Sequence, residues 1–341
     1  MKYYLEKIMK HQDLSFEEMK KAITHCISEQ ASDSEIAALL AGLRTKGETA
    51  DEIAGIVEIL RNESLQTTNE FTNVMDNCGT GGDGSGSFNI STTAAFVIAG
   101  AGVTIAKHGN RSISSKTGSA DVLEHLGVSL TLSKEQVKEI LQQNNIAFLF
   151  APHVHPKMGR FSKVRKDLQI PTIFNLIGPL TNPVTLQTQL LGVNHRDILT
   201  MMAETLRKLG RKRALVINGA GYMDEASLAG ENYITQIDKG KITSFTLHPS
   251  EVGLPTHSIE EIRGGDARRN AEILCNVLKG MPGPHLDTVL LNAGLGIFAH
   301  GTATTINHGI AMAKESIFSG RAMEKLQNLI NYSNTIQNEV M

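Results

Sequence analysis

Apolar and polar positions follow two rhythms along this chain, and the rhythm changes near residue 70. Before that point apolar residues fall three and four apart: Ile36, Leu39, Leu40 and Leu43, then Ile53, Ile56, Val57 and Leu60. Such spacing lines up one face of a helix. Three Ser/Thr-x-x-Glu boxes stand in series in the same stretch: Ser15 with Glu18, Ser32 with Glu35, and Thr49 with Glu52. Each predicts a helix N-terminus, because hydroxyl and carboxylate satisfy each other's orphan backbone donors. Gly47 stands where the middle helix should stop. A small all-helical domain is therefore predicted over residues 1–66. The polar, aperiodic residues 62–69 place a hinge at about 62–70.

After residue 70 short apolar runs, loops and helical stretches repeat. Residues 71–75, 103–106, 146–151, 189–193 and 214–218 read as buried strands. Residues 91–100, 133–143, 195–209 and 267–279 read as helices between them. That alternation predicts an α/β domain over 71–341, with a central, mostly parallel sheet flanked by helices. Residues 233–247, broken at Lys239-Gly240, read as an antiparallel hairpin, so the sheet should be mixed. Ligands of such sheets sit beyond the carboxyl ends of the strands.

Composition adds exclusions. With 341 residues and a net charge of -2, the chain has no global attraction for nucleic acid or anionic membrane. Cys26, Cys78 and Cys275 are odd in number and far apart, against a disulfide framework or a structural zinc site. Residues 1–10 carry charges throughout and no run approaches membrane length, so a cytoplasmic protein is expected.

The chemistry concentrates between Asp76 and Gly127. Five of the eight residues from Gly79 to Gly86 are glycine, which lets backbone N–H groups close on an anion. The next helix opens with the hydroxyls of Ser91, Thr92 and Thr93 beside unpaired N–H groups, an arrangement suited to phosphate. Lys107, His108, Asn110 and Arg111 then follow a predicted strand and lead a hydroxyl-rich loop ending at Lys116 and Ser119. Together the two loops read as a two-phosphate cradle, although glycines alone also suit a tight turn. It is not a P-loop, since no Gly-Lys-Ser/Thr closes it. Asp224-Glu225 follows the predicted strand 214–218 through Gly219-Ala220-Gly221. An acidic pair there reads either as solvated surface or as oxygen ligands for magnesium. Arg165 lies in a basic, helix-like stretch that is otherwise a solvated face. His153 and His155 have chelating spacing but no third ligand nearby, which argues against a metal.

Eight runs, in order, carry a resemblance. They are Asp76-Asn77-Cys78-Gly79-Thr80-Gly81-Gly82-Asp83, Asn89-Ile90-Ser91-Thr92, Lys107-His108-Gly109-Asn110-Arg111, Gly118-Ser119-Ala120-Asp121, Val164-Arg165-Lys166, Phe174 through Pro183, Asp224-Glu225 and Gly264-Gly265-Asp266. From end to end the chain resembles the anthranilate phosphoribosyltransferases. The resemblance implies transfer of the phosphoribosyl group of 5-phosphoribosyl 1-pyrophosphate to the amine of anthranilate, releasing pyrophosphate, in tryptophan biosynthesis. Contacts to phosphoribosyl pyrophosphate are implied for Gly79, Gly82, Asp83, Ser87, Asn89, Ile90, Ser91, Thr92 and Ser119. The run Lys107, His108, Gly109, Asn110, Arg111, Ser112, Ile113, Ser114 and Ser115 is implied as well. Anthranilate is implied at Gly79, His108, Asn110 and Arg165, the last holding its carboxylate. Magnesium (Mg2+) is implied at Ser91, Asp224 and Glu225, with Asp83 assisting. A helical segment near 166–185 is expected to complete the helical domain, through which the family pattern implies a homodimer. No certain general acid or base is implied; His108 is the nearest candidate. Thr117 and Met223 depart from the usual residues of the pattern, and neither removes a ligand.

Two alternatives remain at this point. A pyrimidine nucleoside phosphorylase would share the scaffold, but the Lys107–Arg111 run, Asp224-Glu225 and the short chain speak against it. A non-enzymatic nucleic-acid-binding relative should be basic and should have lost its acidic ligands, and neither holds here.

Overall fold

The computed structural model describes residues 1–28, 30–65, 71–112 and 116–340, the last four without their side chains. Its first four helices are α1 (Lys2–Met9), α2 (Phe16–Ile27), α3 (Asp33–Lys46) and α4 (Ala50–Asn62). All three boxes close as read: Ser15, Ser32 and Thr49 each cap a helix, and Glu18, Glu35 and Glu52 each return the bond. Gly47 ends α3 at a φ of 89°, a value that a Cβ would strain. Ile36, Leu39, Leu40, Leu43, Ile53, Ile56, Val57 and Leu60 are all in the core.

That core does not end with α4. Phe161 and Val164 of the helix Gly159–Leu168, with Ile173, Phe174 and Ile177 beyond it, share it. Arg160 ties the same helix to the carbonyls of Ser28 and Ala31, and Lys163 pairs with Asp33 at 2.6 Å. The single helical segment expected near 166–185 is instead two pieces, Gly159–Leu168 and Phe174–Ile177 followed by a 3-10 turn at Gly178–Leu180. Gln169 breaks the run at a φ of 52°, and Pro171 follows it without an N–H to give.

The sheet has seven strands: β1 (Met75–Gly79), β2 (Ile105–Gly109), β3 (Ile146–Phe150), β4 (Thr188–Gly192), β5 (Arg213–Asn218), β6 (Asn232–Asp238) and β7 (Lys241–Leu247). Their order is β3-β2-β1-β4-β5-β6-β7. Pairing is parallel from β3 through β5 and antiparallel from β5 to β7. The mixed, mostly parallel sheet is thus as read. Alternate residues divide its faces: Leu191, Val193, Ala214 and Val216 join the core of α1–α4, whereas Leu190, Leu215 and Ile217 join a second core. The second core holds α5 (Ile90–Gly100), of which only Ser91 escapes full burial, and the C-terminal helices.

Two strands begin later than their apolar runs suggest. β1 is not 71–75 but Met75–Gly79, and β2 is not 103–106 but Ile105–Gly109. Polar residues therefore occupy the strands themselves, and Lys107 and His108 lie within β2 rather than after it. They are tolerated there because they are partnered. The Asp76 carboxylate accepts the N–H groups of Asn77 and His108 and the Asn182 amide, and Lys107 Nζ donates to the Asn77 carbonyl at 2.6 Å.

Candidate active site

The chain runs from β1 to one side of the sheet and then returns to β1's other side as β4, so β1 and β4 flank the switch point where crevices open. Gly79 and Gly192, the last residues of these strands, sit opposite each other in register. Over both lies Asp224. A Cβ at Gly79 would strike the Asp224 carboxylate, and one at Gly192 would strike its backbone. Gly219, just past β5, leaves similar room for the Glu225 carbonyl. The acidic pair can settle on the strand ends only because these residues lack side chains.

Backbone donors then meet the pair. Gly81 N–H donates to Asp224 Oδ2 at 2.6 Å. At the N-terminus of α5, Ser91 N–H donates to Glu225 Oε1 at 3.2 Å, a place where a helix favours negative charge. The Ser91 hydroxyl bonds the same carboxylate. Asp83 faces the pair from the glycine-rich loop. Burial first, then the charges of Glu225 and Asp83, hold the Asp224 carboxyl well above the usual range. Burial pushes Glu225 up to about 7, against the opposing pull of Lys107 and Ser91. Three acids around one point, with too little positive charge, leave a surplus of negative charge there. Among the described residues no group of three His, Cys, Asp or Glu could by itself hold a metal ion. Magnesium needs none, since one or two carboxylates with substrate phosphates hold it.

The glycine-rich loop and the second loop are held side by side by a third that carries Gly264-Gly265-Asp266. Gly264 N–H donates to the Gly86 carbonyl, and Thr117 Oγ1 donates to the Gly265 carbonyl. Asn270 bridges them, giving Nδ2 to Asn89 Oδ1 and accepting from Gly265 N–H. Asn89 in turn donates to the Thr117 carbonyl. Gly81 and Gly82 keep φ near 77° (76° and 78°), which turns the loop toward the acids.

Other predicted site residues are placed differently. Ser87 forms a bridge with Arg263, Ile90 is in the core, and Thr92 is buried. Gly109 packs on Ser119 and Phe148, and Asn110 Oδ1 accepts the Arg111 N–H. Arg111 is paired with both Asp121 and Glu124, which raise its basicity further. Ser112 N–H donates to Asp121, while Ile113, Ser114 and Ser115 lie outside the described residues. Lys107 is 3% exposed, so its charge lies beneath the strand ends rather than on a loop. His108 stacks edge-to-face on His155 at 5.2 Å. Burial, then His155, lowers its pKa to about 3; burial lowers His155 to about 4. His153 turns away to the Leu132 carbonyl, so the two chelating-spaced histidines do not share a metal. Arg165 is half-buried over the Phe174 ring at 5.4 Å, with no carboxylate partner among the described residues.

Residues 71–323 match the glycosyl transferase family, a/b domain, and residues 2–64 match the same family's helical bundle domain. A curated anthranilate phosphoribosyltransferase of Oceanobacillus iheyensis is 56% identical over 340 residues, covering all of both chains. The chain belongs to the anthranilate phosphoribosyltransferase family. Solved members share its fold. The one from Thermus thermophilus gives a TM-score of 0.92 at 39% identity, covering 97% of this chain and 99% of that one. The Saccharomyces cerevisiae member, solved in complex with PRPP and Mg, gives 0.89 at 28% identity over 98% and 97% of the two chains. Against this family background, Gly192 and Asn270 stand out as site-building residues absent from the sequence reading, and Gly219, named there only as a link to the acidic pair, as a third. Gly192 ends an apolar run and Gly219 follows another, which is the one signal that was available. Asn270 gives none, because its partners lie 5 and 181 residues away.

Proposed function

We infer that this chain is an anthranilate phosphoribosyltransferase, transferring the phosphoribosyl group of phosphoribosyl pyrophosphate to the amine of anthranilate. The observation that carries this is the acidic pair at the β1/β4 switch point, only partly compensated by Lys107 and pinned between a glycine-rich loop and a helix N-terminus. A diphosphate with its magnesium is the complementary ligand. Asp224, Glu225 and the Ser91 hydroxyl would hold the metal, with Asp83 beside them, and the ion would neutralise charge on the departing pyrophosphate. The N–H groups of the glycine-rich loop present preorganised donors to the phosphates. Lys107 acts from below, balancing the acids rather than touching solvent. Arg111 reaches phosphate by exchanging Asp121 and Glu124 for it.

Arg165 fits the anthranilate carboxylate because it is a half-buried guanidinium lacking an anion. His108 Nε2 is buried without a partner, while the ring also bonds the Gly178 carbonyl. A ring with so low a pKa is neutral, so it orients the acceptor amine as a hydrogen-bond acceptor and is a poor base. In the reaction the amine nitrogen forms its bond to ribose C1 as the C1–oxygen bond to pyrophosphate breaks, and the nitrogen's surplus proton passes to the released pyrophosphate or to water. An aniline-type amine is already neutral near pH 7, so positioning is the main task.

The same reading treats residues 1–66 as a helical domain closing on the α/β domain, 71–341, at the 62–70 hinge, of which 66–70 lie outside the described residues. We place a homodimer contact on the helical domain, where Tyr3 and Met9 are exposed at 59% and 81%. A cytoplasmic setting accords with the absence, among the described residues, of any helix long and apolar enough to cross a membrane. Loss of anthranilate fluorescence that requires both phosphoribosyl pyrophosphate and Mg2+ tests the activity. Arg165→Ala should raise the KM for anthranilate by about ten-fold or more, with that for phosphoribosyl pyrophosphate little changed. Equal losses for both substrates would reject the assignment of Arg165.

A further inference from the structure

Behind Glu225 lies a cavity of about 10 Å³, roughly the room one water molecule needs. Leu190, Ile217 and Ala226 give it apolar walls, and Cys78, whose thiol donates to Asp76 Oδ2 at 3.6 Å, lines it beside Asn77, Glu225 and Asn292. Asn292 has nothing to spare. Its Oδ1 takes the Ala226 N–H at 2.9 Å, and its Nδ2 gives to the carbonyls of Ala226 and Thr288. Asn77 differs. Its Nδ2 donates to the Ser91 carbonyl at 2.8 Å, but its Oδ1 is buried without a partner in a residue only 1% exposed. A buried amide oxygen is rarely left so unless a water or ion completes it.

We propose that Asn77 is a positioning residue for Glu225, acting through one buried water that donates to Asn77 Oδ1 and to the Glu225 carboxylate. Asn77, with its unpartnered amide oxygen, and Glu225, with its carboxylate, both line a water-sized space, and two acceptors there call for a molecule that donates twice. One amide then sets two groups at once: Ser91 directly through Nδ2, and Glu225 through the water. Ser91 already holds Glu225 through its N–H and its hydroxyl, and the water adds a hold from the cavity side. This deepens the proposed function and rests on it, since Ser91 and Glu225 are the groups assigned to magnesium. Outer partners of ligating carboxylates commonly govern metal affinity.

A high-resolution crystal structure of the wild-type chain should show one ordered water within hydrogen-bond distance of both groups, and an empty cavity would overturn the proposal. Mn2+, followed by its paramagnetic resonance in the presence of phosphoribosyl pyrophosphate, supplies the second readout. Asn77→Leu removes both polar atoms at similar volume and should weaken Mn2+ binding about ten-fold or more, leaving the KM for anthranilate unchanged. Asn77→Thr keeps an oxygen and suits a strand, so it should lose less. Unaltered Mn2+ affinity in a folded leucine variant, or equal losses in both variants, would refute the bridge. If leucine prevents folding, the threonine variant and the wild-type structure decide. Failure of Mn2+ to bind the wild type would instead overturn the functional reading, and the cavity water would then be judged by the structure alone.

Discussion

Glu52 in the helical core is a buried carboxylate, and so is Asp224 at the sheet with the half-buried Glu225 beside it, yet their surroundings are opposite. Glu52, 0% exposed, accepts the N–H groups of Leu14 and Thr49 at 2.9 Å each and Lys46 Nζ at 3.0 Å. Lys46 is in turn shared with Asp13. Charge and hydrogen bonds there are balanced within the fold. Asp224 and Glu225 instead face each other and Asp83, and each has one backbone donor close by. Burial is therefore not what marks a functional carboxylate. Imbalance is, because only an outside cation can complete it.

The contrast predicts opposite responses to losing a carboxylate. Glu52→Ala leaves the Leu14 and Thr49 N–H groups without their acceptor and Lys46 with only Asp13 and the Gly47 carbonyl, and should cost about 3 kcal/mol or more in chemical denaturation. The KM values of the folded fraction should be unchanged. Glu225→Gln should do the reverse: lower kcat/KM by roughly 10²-fold or more while stabilising the metal-free protein. The sign follows from proton binding. Burial raises the Glu225 carboxyl above its unfolded value of about 4.5, so the folded state holds more protons and stability falls as pH rises. The cost is absent below pH 4.5 and grows as the Asp224-Glu225 pair ionises together. Melting curves at pH 4 and pH 8 without metal should show the variant equal to wild type at the first and more stable at the second. A variant less stable at pH 8 would place Glu225 with Glu52, as a structural acid.

Gly192→Ala probes how the pair is seated. The added methyl meets the Asp224 backbone, which must move. A loss of about 1–3 kcal/mol in stability is expected, with weaker Mg2+ dependence of the rate, since the acids are lifted from the strand ends. Stability loss with an unchanged Mg2+ requirement would separate the seat from the site.

The two regions also differ in how far the sequence announced them. The helical core was legible because its signals are local: Ser32 and Glu35 are three residues apart and close their box within one turn. The alternation of strands and helices was equally local, and the sheet class followed. Strand ends were not legible, because Asp76, Asn77 and Lys107 are polar residues that read as loop. They stand inside strands only because each finds a partner: Asp76 takes the His108 N–H, Asn77 donates to the Ser91 carbonyl, and Lys107 donates to the Asn77 carbonyl 30 residues earlier. The carboxylate positions were visible as a loop after a strand, but their seating on Gly79 and Gly192 depends on spatial register. Arg111 shows the same limit: its pairing with Asp121 and Glu124 spans a loop whose path no periodicity describes.

The smallest effect tests whether the acidic loop is also held from its exposed side. Tyr222, two residues before Asp224, has a φ of 60°, unusual for an aromatic residue and worth about 1–2 kcal/mol of strain. Its ring and that of Tyr233 both face the Arg196 guanidinium, at 5.1 and 3.5 Å from their centroids. Arg196 Nε donates to Asn218 Oδ1, so the stack ties the loop back to the end of β5. Tyr222→Gly removes the strain, but it also removes one cation–π contact and adds freedom to the unfolded chain, each worth about 0.5–1 kcal/mol. These terms nearly cancel, and the melting temperature should barely move. The Mg2+ concentration for half-maximal rate should still rise, because the carboxylates lose a tether that the balanced sum conceals. If that concentration is also unchanged, the bridge between Gly219 and Met223 and the Asn292 clamp on Ala226 hold the loop without help. The aromatic stack would then be a surface contact, and the imbalance that distinguishes this site from Glu52 would be set wholly from beneath.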